Sequence, residues 1–151
     1  MYKISKVLVP VDLSSCSRAA LTHALSLASQ LTAKVVDVLY VAEVPVFKSE
    51  PRVVGERGST SLRDYALEVA EADLAAFLKP LEPEQRGRLS AQVDAGSPRA
   101  RILEHVKKGG YDLVVMGTHG WTGRAHAFAG SVAESVVRES ACPVLTVRES
   151  R

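Results

Sequence analysis

Short apolar runs alternate regularly with segments of helical periodicity along this chain, and that alternation limits the folds open to it. The first run, KVLVPV at 6–11, is apolar at every position after its lysine. Such a continuous run is typical of a strand buried on both faces of a parallel sheet. Further runs lie at 34–44, 88–96, 111–117 and 142–150. Because helical segments separate them, the sequence predicts an α/β fold: a five-stranded, doubly wound parallel sheet with helices on both faces.

Four segments carry the signals of those helices. Ser14 or Ser15 can cap the first, which continues with alanines and leucines at helical spacing. The second has its apolar face between 67 and 81, and Ser97 is placed to cap the third. The fourth, SVAESVVRESA, is predicted over 131–141.

The stretch at 45–59 separates the second strand from the second helix. It contains prolines, glycines and charged residues, a composition that predicts a mobile loop. The rest of the chain shows no internal repeat or low-complexity tract, and 151 residues are enough for one hydrophobic core. We therefore expect one domain over 1–151.

Charge and cysteine usage exclude several classes of function. Nineteen Lys and Arg stand against seventeen Asp and Glu, without a long cluster of one sign, so neither nucleic acid nor a membrane surface is a predicted partner. Pro10 and Asp12 interrupt the first apolar run well below the length of a signal peptide or a membrane span, and we expect a cytoplasmic protein. Cys16 and Cys142 have neither metal-site nor disulfide spacing.

Four glycines lie between the fourth strand and the fourth helix, in the segment MGTHGWTGRAHAFAGS at 116–131. Glycine lets backbone N–H groups approach a ligand closely, and the N-terminus of the following helix favours an anion such as phosphate. The segment has neither the P-loop pattern nor the dinucleotide-binding pattern. Ser131 can donate to a phosphate, or it can cap the helix in a capping box with Glu134. Both roles fit the sequence.

The glycine spacing is specific. Two residues separate Gly117 from Gly120, and nine more separate Gly120 from the pair Gly130-Ser131. This spacing resembles the G-x2-G-x9-G-[ST] signature of the ATP-binding branch of the universal stress protein family. Similar blocks occur at both ends of the chain, including KVLVPVDLSSCSRAAL and DLVVMGTHG. The resemblance implies a flavodoxin-like, HUP-type sheet in the order 3-2-1-4-5. It also implies a homodimer that pairs through strand five, at Val144, Leu145, Thr146 and Val147.

The same resemblance implies which residues hold the nucleotide. The ends of strands one and two would surround the adenine and ribose, and the glycine segment would cradle the ribose and triphosphate. The implied residues are Pro10, Val11, Asp12, Val41, Met116, Gly117, Thr118, His119, Gly120, Arg124, Gly130, Ser131 and Val132. The spacer WTGRAHAFA departs from the leucine-rich stretch of many relatives, so Arg124 and His119 can be phosphate contacts or ordinary surface and loop residues.

The function expected from this resemblance is a dimeric regulator or adaptor that binds ATP, with or without Mg²⁺. ATP would order the 45–59 loop as a lid and change what the dimer presents to an unidentified protein partner. Two alternatives remain. One is a slow ATPase or nucleotidyl-transfer enzyme that uses Asp12 and a bound metal, although the glycine segment has no lysine to clamp a phosphate. The other is an interaction module whose pocket stays empty.

Overall fold

A computed structural model of the chain describes residues 3–31, 35–55, 58–118 and 130–149. Its elements, in chain order, are β1 (Lys6–Val11), α1 (Ser15–Gln30), β2 (Val35–Glu43), β3 (Arg52–Gly55), β4 (Gly58–Ser61), α2 (Leu62–Leu78), α3 (Pro83–Arg86), β5 (Leu89–Gly96), α4 (Pro98–Gly109), β6 (Leu113–Gly117), α5 (Ser131–Glu139) and β7 (Val144–Val147). Within these ranges, no helix is long and apolar enough to cross a membrane.

Five of the strands form one parallel sheet in the order β5-β2-β1-β6-β7. Numbered among themselves along the chain, these strands have the order 3-2-1-4-5, so the predicted topology is confirmed. The chain builds outward from β1 to β2 and β5, then crosses to β6 and β7 on the other side. The strand order therefore reverses between β1 and β6, where sheets of this kind bind their ligands.

Helices cover both faces of the sheet, which explains the uninterrupted apolar runs. Val7 and Val9 of β1 face a core shared with α1 and α2. Leu8, between them, faces a second core shared with α4 and α5. Because successive strand side chains point to opposite faces, a strand covered on both sides has apolar residues at successive positions.

The prediction of a loop over 45–59 is wrong for the residues that form strands. β3 and β4 pair as an antiparallel hairpin from Arg52↔Ser61 to Gly55↔Gly58. Val53, Val54 and Thr60 favour an extended backbone, and the Arg52 guanidinium donates to Ser59 through Nε to Oγ at 2.8 Å and Nη2 to O at 2.7 Å. Prolines and glycines occur at and beside these short strands, and this composition is why the sequence predicts a loop here.

The helix signals are confirmed, with two corrections. Ser14 caps α1, since its side chain accepts from Ser17 N, and Ser97 lies at the N-cap of α4. The fourth predicted helix is shorter than expected and ends at Glu139. Its N-cap is Gly130, with Ser131 as the first helical residue, and no side chain of the described residues caps it. The capping box predicted for Ser131 is therefore wrong, because its hydroxyl lies one residue too far along the chain.

Candidate functional site

A cavity of about 350 Å³ opens at the carboxyl ends of β1, β2 and β6, beside the first turns of α4 and α5. It lies where the strand order reverses. Ten residues implied by the resemblance line it: Pro10, Val11, Asp12, Val41, Met116, Gly117, Thr118, Gly130, Ser131 and Val132. His119, Gly120 and Arg124 lie outside the described residues. Sequence positions more than 100 residues apart thus meet at one place because parallel strands end at the same edge.

Several residues that line the cavity were not predicted from the sequence. Leu39 and Glu43 lie on the same face of β2 as Val41, and a spacing of two residues along the strand could have identified them. Pro98 and Ile102 enter from α4. The sequence around these two residues does not distinguish them from other positions of the helix, because their distance from the cavity depends on how α4 packs on the sheet.

The end of β1 holds Asp12 in a tight turn. The Ser14 backbone N–H donates to Asp12 Oδ1 at 3.0 Å, and the Ser14 hydroxyl donates to the same oxygen. Between these residues, Leu13 has a φ of +66°. Asp12 itself is exposed at the cavity. The turn therefore fixes a carboxylate at the opening of the site.

The end of β6 contains a glycine that packing requires. A Cβ added to Gly117 would lie 2.9 Å from Cys16 Sγ and 3.1 Å from the Cys16 carbonyl oxygen. Only glycine lets the first turn of α1 approach β6 this closely. Thr118, which follows, is buried and donates its N–H to Val147 O at 3.1 Å.

The N-terminus of α5 borders the cavity beside the end of β6. Gly130 N donates to Thr118 O at 2.6 Å, which ties the start of this helix to the end of β6. The next three N–H groups, of residues 131–133, have no acceptor within the helix, and all three residues line the cavity. Gly130 has an ordinary φ of −59°. Its backbone conformation does not demand glycine, so the missing side chain matters for the space it leaves.

The charges at the described part of the cavity are two carboxylates, Asp12 and Glu43, without a lysine or arginine. Backbone N–H groups and the hydroxyl of Ser131 are therefore the anion donors that the described residues can supply. The carboxylates can accept hydrogen bonds from a nucleoside or bind a cation. On the other face of the sheet, burial raises the pKa of Tyr40, and the negative charges of Asp73 and Asp12 act in the same direction.

The carboxylates do not form a complete metal site. Within the described ranges, no three His, Cys, Asp or Glu side chains could together hold a metal ion. Mg²⁺ at this position would depend on oxygens of a bound phosphate, as is usual for that ion.

A neighbouring cavity of about 490 Å³ lies beside the ends of β2 and β5. Pro45, Val46 and Phe47 line it with Arg63 and Arg101. No described residue of 45–59 lines the candidate site itself. The lid formed by this stretch remains a prediction.

The universal stress protein family model matches residues 3–148 of the chain. Universal stress protein MJ0531 of Methanocaldococcus jannaschii is 32% identical over 151 residues, which cover 100% of this chain and 85% of that protein. The solved structure of MJ0577, a universal stress protein of the same organism, superposes with a TM-score of 0.74 at 26% identity, covering 100% of this chain and 99% of that one.

Two similar solved structures contain nucleotides. One is a universal stress protein in complex with cAMP, with a TM-score of 0.65, 22% identity and coverage of 98% of this chain and 99% of that one. The other is an Arabidopsis thaliana family protein with AMP bound, with a TM-score of 0.58, 19% identity and coverage of 97% and 92%. At these identities the likeness concerns the fold. The family model, which spans nearly the whole sequence, decides the assignment: this chain belongs to the universal stress protein family.

Proposed function

We propose that the protein binds ATP in the cavity at the ends of β1, β2 and β6 and acts in the cytoplasm as a nucleotide-responsive regulator or adaptor of a stress response. One observation carries the proposal. The first turn of α5, which no described side chain caps, lines a cavity at the point where the strand order reverses. Family membership and the relatives that contain AMP and cAMP support it.

The walls of the cavity differ in chemistry in the way that a nucleotide requires. Leu39, Val41, Ile102 and Met116 supply an apolar surface on which a base can lie. The first turn of α5 brings the N–H groups of 131–133 to the cavity, where the positive end of the helix dipole favours phosphate. Asp12 and Glu43 are acceptors for the amino group or the ribose hydroxyls. Mg²⁺, if it accompanies ATP, would be held chiefly through the phosphates.

A regulator fits the described residues better than a phosphoryl-transfer enzyme does. Transfer of a phosphoryl group needs cationic groups on the phosphates and a positioned base, whereas the described lining offers two carboxylates and no lysine or arginine. We expect little phosphate release from ATP by the purified protein. Sustained turnover that Asp12→Ala abolishes would favour the slow ATPase instead.

Binding is tested by calorimetry and by thermal melts with and without millimolar ATP and Mg²⁺. A ligand that binds only the folded state raises the melting temperature by mass action. Gly130→Val places a side chain in the cavity, while its Cβ meets only Thr118 O, at 3.4 Å, among the described atoms within 4 Å. We expect this variant to fold and to bind ATP roughly a hundredfold more weakly, since several charge-assisted N–H contacts are obstructed.

The control is Gly55→Val in the hairpin, where an added Cβ meets nothing within 4 Å. It should bind ATP as the wild type does. A folded wild-type protein that shows neither binding heat nor a shifted melting temperature contradicts the proposal. Parallel titrations with AMP and cAMP, together with mass analysis of nucleotide retained after purification, establish which nucleotide is preferred.

A further inference from the structure

Ser14 connects the first helix to the candidate site through its hydroxyl group and its backbone N–H. This side chain is 5% exposed. Its Oγ accepts the Ser17 N–H at 3.1 Å and donates its own hydrogen to Asp12 Oδ1. The Ser14 backbone N–H also donates to Oδ1, at 3.0 Å. One oxygen of the Asp12 carboxylate thus receives two hydrogen bonds from a residue that is anchored in α1.

The backbone between these residues indicates that the arrangement is held under constraint. Leu13 is the one residue other than glycine with a positive φ among those the structure describes, at +66°. Leucine is disfavoured in this conformation, and such residues persist where the surrounding contacts determine them. Here the contacts are the two Ser14 donors on one side and the packing of Leu13 against the core of α1 and α2 on the other.

We infer that Ser14 is a positioning residue, which holds the Asp12 carboxylate in the orientation that accepts a hydrogen bond from the nucleoside part of the bound ligand. The inference rests on the proposed function and adds to it a residue that does not itself line the cavity. A carboxylate fixed before binding loses less conformational freedom when the ligand arrives, and affinity rises accordingly. The partner on the nucleoside is a hydrogen-bond donor, either a ribose hydroxyl or the adenine amino group.

The test is a double-mutant cycle of Ser14→Ala and Asp12→Ala, with ATP dissociation constants from calorimetry. We expect Ser14→Ala alone to weaken ATP roughly five- to tenfold, the loss typical of one ordinary hydrogen bond. In the Asp12→Ala background the same change should have almost no effect, because the group that Ser14 positions is gone. Ser14→Thr keeps the hydroxyl and should restore most of the affinity.

Ser61→Ala is the matched control. Ser61 caps α2 as Ser14 caps α1, and its Oγ accepts from Asp64 N at 3.0 Å, but it does not line the candidate cavity. Both alanine variants lose one serine cap, so a general loss of helix stability would affect them alike. We expect Ser61→Ala to bind ATP as the wild type does.

Analogues identify the donor that Asp12 meets. Titrations use 2′-deoxy-ATP, 3′-deoxy-ATP and purine riboside triphosphate, each of which lacks one candidate donor. The analogue without the relevant group should bind wild type and Ser14→Ala with nearly equal affinity. The inference is wrong if wild type binds ATP and Ser14→Ala binds it equally well, or if the effects of the two substitutions add. A wild type that binds no nucleotide overturns the proposed function and this inference with it.

Discussion

At the scale of single residues, two glycines of the same signature have different physical roles. Gly117 has no room for a Cβ, because Cys16 lies within 2.9 Å of its position. Gly130 lines the cavity, and a Cβ there would meet only Thr118 O, at 3.4 Å, among the described atoms. The glycine spacing in the sequence predicts that both residues belong to one phosphate cradle. The structure separates a glycine required for packing from a glycine that leaves space for a ligand.

Alanine at each position tests that distinction. Gly117→Ala should destabilise the protein by about 1–3 kcal/mol, since the Cβ meets backbone atoms of α1 that must shift. Gly130→Ala should change the free energy of unfolding by less than about 1 kcal/mol, the range expected for a helix N-cap. Urea unfolding of both variants measures the difference. Equal stability of Gly117→Ala and wild type would contradict the packing role.

Some residues of the candidate site could be predicted from the sequence, and others could not. Asp12 and Met116 were predictable, because each stands where a buried apolar run ends and parallel strands end together. Pro98 and Ile102 were not, because their place at the cavity depends on how α4 packs on the sheet. The capping box at Ser131 matched a local motif, but the helix begins one residue away from the position that the motif requires.

At the scale of elements, Asp94 joins β5 to helices from both faces of the sheet. Its carboxylate accepts from Ala95 N at 2.7 Å, from Arg63 of α2 at 2.9 Å and lies 3.2 Å from His105 Nε2 of α4. Burial acts to raise the pKa of Asp94, but the Ala95 N–H, His105, Arg101 and Arg63 together hold it below its ordinary value. The ionised form is therefore the one that the fold stabilises.

The pH dependence of stability follows from that direction. The pKa of Asp94 is lower in the folded protein than in the unfolded chain. The ionised carboxylate therefore adds to the free energy of unfolding above about pH 4, and this addition is lost as the pH falls through the pKa of the folded state. We expect Asp94→Asn to cost about 1–3 kcal/mol near neutral pH. Its difference from wild type should shrink toward pH 3 in urea unfolding experiments.

Glu71→Gln, on the exposed side of α2, removes one negative charge without disturbing this cluster and is the control. A difference between wild type and Asp94→Asn that stays constant from pH 7 to about pH 3 would show that ionisation of Asp94 does not contribute.

The elements also show why the sheet was more predictable than the hairpin. A strand buried on both faces must be apolar at successive positions, and β1, β2 and β6 carry that signal. β3 and β4 have four residues each and are largely exposed, so burial imposes no such pattern on them. Their pairing is fixed by contacts such as Arg52 with Ser59, which a local reading of the sequence does not reveal.

At the scale of the whole molecule, the two edges of the sheet differ in how they are covered. At the β5 edge, Ala95 directs its backbone groups outward, and both are satisfied: its N–H by Asp94 and its carbonyl by Arg63 Nη1 at 2.7 Å. At the β7 edge, Leu145 and Thr146 are exposed, and Val137 of α5 is 52% exposed. An exposed strand edge invites pairing with another strand, so we propose that two copies pair through β7 across a two-fold axis.

Thr146→Pro tests this arrangement without breaking the sheet. The carbonyl oxygens of Pro143 and Val147 accept hydrogen bonds from backbone N–H groups in β6 and directly after it. Because residues along a strand alternate in direction, residues 144 and 146 direct their N–H groups away from β6. Proline at 146 removes an outward donor and leaves the ladder to β6 in place. We expect this variant to sediment as a monomer at micromolar concentration and the wild type to sediment as a dimer.

Leu145→Lys should have the same effect by placing like charges together across the axis. Ala91→Pro is the matched control on the opposite edge of the sheet. In β5 and its flank, the carbonyl oxygens of Arg88 and Gly96 accept from N–H groups in β2 and directly after it, so the odd-numbered residue 91 directs its N–H away from the sheet. That variant should remain dimeric. A wild-type protein that sediments as a monomer would contradict the proposed dimer. A Thr146→Pro variant that stays dimeric while Ala91→Pro dissociates would place the interface elsewhere on the molecule.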